Sequence, residues 1–154
     1  MTSLVVATRI EAPIERCFDL ARSIEAHNES AAFSDERAIV PGRTSGLMEV
    51  GDLVTFEATH FGMRQRVTAR ITEMVRPNLF VDELVESAFH SLRHIHDFRE
   101  IGGVTIMTDA LEWRSPFGPL GVIADALVIK RHMRSFLERK QGNLKRMAEA
   151  VVSD

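Results

Sequence analysis

The sequence predicts an α+β domain: a curved antiparallel β-sheet of about seven strands wrapped around a long C-terminal α-helix, with two short helices after the first strand. Three observations carry this. From Asp52 to Arg114 apolar and polar side chains alternate with a period of two, interrupted by turn residues. The opening β-branched run gives way at Pro13 to a period of three to four. Beyond the "SPFGPLG" break at Ser115–Gly121 no proline occurs, and apolar residues recur on one helical stripe. The 154 residues suit one domain, 1–154, a size that buries roughly 70% of its unfolded surface.

Val5, Val6, Thr8 and Ile10 mark the first strand, Leu4–Ile10. Pro13 sits where a helix places proline at its first position, and Ile14, Cys17, Phe18 and Ala21 follow at helical spacing; Ile24–Glu29 is a second short helix. A short strand is expected near Arg37–Val40, within a stretch rich in glycine, proline and serine. Val54, Phe56, Ala58 and His60 then alternate with Thr55, Glu57 and Thr59. After Phe61-Gly62 the pattern resumes as Met63, Gln65, Val67, Ala69 and Ile71, with Arg64, Arg66, Thr68, Arg70 and Thr72 on the solvent side. Leu79–Ser87, Leu92–Arg99 and Val104–Arg114 supply three more strands, the last two joined at Gly102-Gly103. In the C-terminal segment Leu120, Ile123, Leu127, Leu137, Leu144, Met147 and Val151 define the stripe, and Gly142 is a soft spot in it.

Composition narrows the function classes. A net charge of -3 gives no general attraction to nucleic acid or anionic lipid, and no nucleic-acid recognition motif is present. The basic run Lys130, Arg131, Arg134, Arg139, Lys140, Lys145 and Arg146 reads as a solvated helix face. With one cysteine, Cys17, an intrachain disulfide is excluded and a reducing, cytoplasmic setting fits. No signal-length apolar start and no apolar stretch of 18 residues occurs, so stable membrane insertion is not expected. A homodimer through an edge strand or the basic helix is compatible with the sequence.

The order strand, two short helices, antiparallel meander, long helix is a recognisable plan. It is carried by "VVATRIEAPIERCFDLARSIEAHNES", by the run from "GDLVTFEATH" to "VTIMTDALEW", and by "SPFGPLGVIADALVIKRHMRSFLERKQGNLKRMAE". This resembles the START-like (SRPBCC) helix-grip superfamily: START domains, the major birch pollen allergen and bacterial polyketide cyclase/dehydrase-like proteins. The resemblance spans essentially the whole chain. It implies a cavity between sheet and long helix that holds a small-to-medium hydrophobic molecule, of lipid, polyketide or aromatic type. The alternative it implies is a cyclase/dehydrase-type enzyme. For such an enzyme the resemblance implies tyrosine and arginine contacts in the pocket; this chain has no tyrosine and its arginines fall mostly on the outward side, so His60, His94 and His96 are the expected substitutes as proton carriers.

The alternation places His94, His96 and Asp109 on the apolar face of their strands. A hairpin closing at Ile101-Gly102 sets Asp109 opposite His94; closing at Gly102-Gly103 sets it opposite His96. On the preceding strand, a loop near Ala88–His90 brings Asp82 beside His96 and Leu84 beside His94. Charged groups in such a wall need partners, so Asp82, His94, His96 and Asp109 are expected to form one network. Its roles are bracing the sheet, orienting a ligand's polar end, or general acid–base chemistry with His94, His96 and Asp109 as the candidates. His94-x-His96 also has the spacing of two metal ligands with Asp109 as a third, but carboxylates beside imidazoles serve more often as their hydrogen-bond partners, so neither a metal nor another cofactor is expected. The expected ligand wall is Phe56, His60, Gln65, Val67, Phe80, Asp82, Leu84, His94, His96, Phe98, Asp109, Trp113, Leu120 and Leu127. Phe61, Phe89, Phe117 and Leu120 stand where they could close the mouth.

Overall fold

The computed structural model describes residues 1–86, 91–114 and 118–150. In chain order these form β1 (Thr2–Ile10), α1 (Ile14–Ala21), α2 (Ile24–Ser30), a 3-10 turn (Ala32–Ser34), β2 (Arg37–Ile39), β3 (Leu53–His60), β4 (Met63–Val75), β5 (Leu79–Glu86), β6 (Ser91–Ile101) and β7 (Val104–Arg114). Then come α3 (Gly118–Ala124), a π-helical turn (Asp125–Ile129) and α4 (Lys130–Ala150). One antiparallel sheet has the order β1-β7-β6-β5-β4-β3-β2. Strands β2 to β7 are a plain meander, and β1 lies at the opposite edge from β2, so the two short helices carry the chain from one edge to the other. The sheet curls into a half-barrel around the C-terminal helix, as expected of the helix-grip plan.

Local signals account for the boundaries. Pro13 is the N-cap of α1, one residue earlier than expected, and keeps an extended ψ of 149°. The Ser23 side chain caps α2 by accepting from the Ala26 amide at 3.1 Å. Gly102 and Gly103 both have positive φ (58° and 83°), the conformation of a two-residue hairpin turn. Ile101 therefore pairs with Val104, and every pair above follows, including His96 with Asp109. Of the two closures the sequence allows, this is the second. Across β5 the backbone register differs by two residues from expectation: Asp82 pairs with His94, and Phe80 with His96. The loop that sets this register, with Phe89, lies outside the described residues, as do Phe117 and Val151.

Two expectations fail for identifiable reasons. Thr55 and Thr68, assigned to the solvent side, are buried; their hydroxyls bond each other at 2.8 Å, and Thr55 donates to the Pro41 carbonyl at 2.8 Å. The segment leaving β2 covers that part of the outer face. In the C-terminal helix the π turn holds more residues per turn than an α-helix and breaks the phase of the stripe. Leu120, Ile123 and Leu127 are consequently 78%, 57% and 67% exposed, whereas Leu137, Leu144 and Ala148 are buried. Leu120 and Leu127 thus face away from the cavity they were expected to line.

The interior divides in two. Beneath α1 and the end of α4, Phe18 meets Phe80 and Phe98 edge-on at 5.6 and 5.4 Å. At the other end Trp113 packs with Leu4, Val6, Leu111 and Leu137. Among the described residues no helix is long and apolar enough to cross a membrane.

Candidate functional site

A cavity of about 350 Å³ opens between β3, β4 and the face of α4. Ligand pockets run from about 300 to 1,000 Å³, so this one suits a single small molecule. Its walls are apolar, with Val54, Phe56, Ala58, Val67, Ala69 and Ile71 from the hairpin facing Ile129, Met133, Phe136 and Leu137. Polar side chains gather at two places. His60 and His132 stand at one, with Nδ1 and Nε2 2.8 Å apart and Phe61 and Phe136 against the rings. Asp82, His94, His27, Glu36 and Lys140 form the other.

The ladder that supplies Asp82 and His94 is continuous. His96 Nε2 bonds Asp82 at 2.8 Å and its Nδ1 lies 3.2 Å from Asp109; His94 Nε2 bonds Asp109 at 2.7 Å. The expected side-chain partnership of Asp82 with His96 is therefore made, along the diagonal of the sheet rather than straight across. The rings of Phe80, His96 and His94 stack at 4.0 and 3.8 Å. From α4, Gln141 donates to Asp109 at 2.5 Å and to the Val6 carbonyl at 2.9 Å, and accepts from Thr8 at 2.8 Å. One glutamine thus ties the helix to β7 and β1.

The charges follow from these contacts. Burial pushes His96 down, but hydrogen bonds to the Asp109 and Asp82 carboxylates outweigh it and raise the pKa, so with both nitrogens donating His96 is the imidazolium of the group. Burial lowers the pKa of His94, and the charge on His96 lowers it further, more than the Asp109 hydrogen bond restores. Neutral His94 donates from Nε2 to Asp109 and keeps a lone pair on Nδ1. For Asp109 the penalty of burial is outweighed by the hydrogen bonds from His94 and His96, which hold the carboxyl well below its usual range.

A second buried group lies outside what the sequence leads one to expect. Lys140 donates to His27 Nδ1 at 2.8 Å and stands 4.0 Å from Glu36, which is 3.4 Å from the same His27 nitrogen. Burial first and the Lys140 charge second push His27 down to about 4. Burial raises Glu36, but the Lys140 charge outweighs that and leaves its pKa lowered. Lys140 is therefore not part of the solvated basic face to which its neighbours in sequence assign it. Leu137, Lys140, Gln141 and Leu144 fall at three- and four-residue spacing, so the stripe itself places Lys140 and Gln141 inside. Ile24 and His27 carry the same signal on α2.

Of the residues expected in the wall, Phe56, His60, Gln65, Val67, Asp82 and His94 line the cavity. His96 and Asp109 lie behind His94, beside a small void. Phe80 and Phe98 are fully buried in the core below, Phe80 as the cover of His96. Trp113 is buried among β1 and β7 side chains, and Leu84, half-buried opposite Ala69, stands apart from the lining. Among the described residues Asp82, rather than Asp109, completes the group within metal-ligating reach: one atom each of Asp82, His94 and His96 lies within 4.8 Å of the others. A divalent ion there would have to displace the His96 proton that now bridges to Asp82.

No family model and no curated protein matches the sequence. Solved structures do match over nearly the whole chain. The Thermus thermophilus protein TTHA0849 has a TM-score of 0.77 at 17% identity, covering 97% of this chain and 99% of that one. Ms6760 of Mycobacterium smegmatis has a TM-score of 0.73 at 15% identity, covering 97% and 92%. Major latex-like protein 151 of Panax ginseng has a TM-score of 0.65 at 12% identity, covering 96% and 97%. At such identities the likeness speaks for the fold alone, and the chain has the helix-grip fold.

Proposed function

We propose that the protein binds one small hydrophobic molecule between its sheet and α4, with the molecule's polar end turned toward Lys140, His94 and Asp82. The observation that carries this reading is the cavity: about 350 Å³, apolar over most of its wall, with ionisable groups gathered at an inner pole. Its volume favours a mono- or bicyclic aromatic or a short-chain compound over a two-chain lipid. An apolar-walled hollow of this size is a cost to the folded state that a resident ligand offsets.

Native mass spectrometry of freshly purified protein should show a bound species of small mass. A thermal-shift panel of aromatic and short-chain compounds should raise the melting temperature by several degrees at saturating dose, because stabilisation grows with the ratio of ligand concentration to Kd. Absence of any bound mass together with no shift across the panel would discard the reading.

A second reading rests on His94, a neutral imidazole whose Nε2–H is held by Asp109 and whose Nδ1 is unspent. That is the arrangement of a general base, and it supports proton abstraction beside a carbonyl. Proton–deuterium exchange at the α-carbon of 2-tetralone, followed by NMR, should be accelerated by the protein and not by the His94→Gln variant.

A further inference from the structure

Behind the cavity lies a void of about 10 Å³, bordered by the polar side chains of His27, His94, His96, Asp109, Lys140 and Gln141. It shares His27, His94, Leu137 and Lys140 with the cavity wall, so the two spaces adjoin. Its size is that of one oxygen atom, a water or a hydroxyl, and a water-sized space is occupied only where polar partners remain to hold the occupant. Gln141 spends its amide on Asp109 and the Val6 carbonyl and its oxygen on Thr8. Asp109 receives Gln141 on one oxygen and both imidazoles on the other. His96 spends both nitrogens on carboxylates.

Three groups are left. Lys140 has three N–H protons, of which one goes to His27 and one points toward Glu36 at 4.0 Å. Because His27 Nδ1 accepts from Lys140, its proton is on Nε2, a second free donor. His94 offers its Nδ1 lone pair. The three residues that carry these donors and this acceptor all border a space for one oxygen.

We infer that this void is an oxygen-sized subsite for the hydroxyl of an uncharged alcohol or phenol, whose apolar remainder fills the adjoining cavity. The inference rests on the cavity reading and names the chemistry of the ligand's polar end. A hydroxyl accepts from Lys140 or His27 and donates to His94 Nδ1, satisfying both kinds of group at once. A carboxylate satisfies only the donors, and it enters a group in which Glu36, Asp82 and Asp109 already outnumber the cations Lys140 and His96. An ammonium meets Lys140 at close range. An unsubstituted hydrocarbon leaves the free donors and the lone pair without partners.

Equilibrium dialysis of 2-naphthol, naphthalene and 2-naphthoate against the wild-type protein at pH 7 tests this. Binding of 2-naphthol should exceed that of naphthalene on the order of tenfold, the size expected when one or two buried hydrogen bonds are gained, and 2-naphthoate should be weakest. The ¹⁵N resonance of His94 Nδ1 should move upfield with 2-naphthol and stay in place with naphthalene, a readout that needs no variant. Equal binding of naphthalene and 2-naphthol with an unmoved resonance overturns the subsite and leaves the cavity reading standing. Tightest binding by 2-naphthoate also overturns it, because the pole would then be an anion site. Failure of all three to bind also overturns the subsite, and the cavity reading is then decided by the bound mass and the thermal-shift panel.

Discussion

His96 sets the charge balance of the interior. It is the cation between Asp82 and Asp109, so replacing it with phenylalanine leaves two buried carboxylates without a positive partner. Breaking such a pair costs about 3–5 kcal/mol. His94 is neutral and gives Asp109 one hydrogen bond, so His94→Phe should cost only about 1–2 kcal/mol. Urea denaturation of the two variants at pH 7 checks the order, and equal losses would mean that His96 is uncharged. His27 makes a separate prediction in pH. Its folded pKa of about 4 lies below the ordinary histidine value, so between the two the unfolded chain takes up a proton that the folded chain refuses. Stability from this residue is complete above about pH 6.5 and is lost as pH falls toward 4, by about 3 kcal/mol at 1.36 kcal/mol per unit. His27→Gln keeps an acceptor for Lys140 and should remove that share of the acid sensitivity. The measurement is the difference in unfolding free energy between pH 7 and pH 4 for wild type and variant.

The elements differ in how much of them the sequence displays. Strands β3 to β7 are legible because a sheet with one dry face enforces a period of two, and the Gly102-Gly103 turn fixes the register that brings His96 to Asp109. The diagonal bonding of Asp82 is less legible, since it depends on a loop whose length does not dictate a register. Phase in the last helix is hidden for another reason. A π turn leaves no periodic trace in the sequence, so Leu120 and Leu127 read as part of a stripe from which the extra residue has rotated them. Lys140 is missed because basic residues are assigned to water by default, although its spacing from Leu137 and Leu144 points inward. Gly142 is legible as a weak point, and the structure sharpens it: a Cβ there would meet nothing within 4 Å. Gly142→Ala should therefore stabilise α4 by about 0.5–1 kcal/mol and raise Tm by roughly 2–4 °C in differential scanning calorimetry. An unchanged or lowered Tm would mean that the helix gains from the missing side chain.

On the scale of the whole molecule, the fold keeps a hollow where a core would be more stable. Above and below it the protein packs in the ordinary way, around Phe18, Phe80 and Phe98 at one end and around Trp113 and Leu111 at the other. Between them the facing strands carry small side chains, Ala58 and Ala69, both buried and both in the cavity wall. Two alanines opposite a helix face of Met133, Phe136 and Leu137 leave the space that larger residues would fill. If that space exists for a guest, stability and binding should respond in opposite directions when it is filled. Ala58→Phe should raise the unfolding free energy of the ligand-free protein by about 0.5–2 kcal/mol, the usual gain from filling a cavity, while lowering the affinity of whichever compound shifts the wild-type melting temperature. Denaturation and thermal-shift titration on the same preparation read both effects. A variant that gains stability and still binds would place the guest elsewhere, and one that loses stability without losing binding would show that the wall there cannot accept a ring.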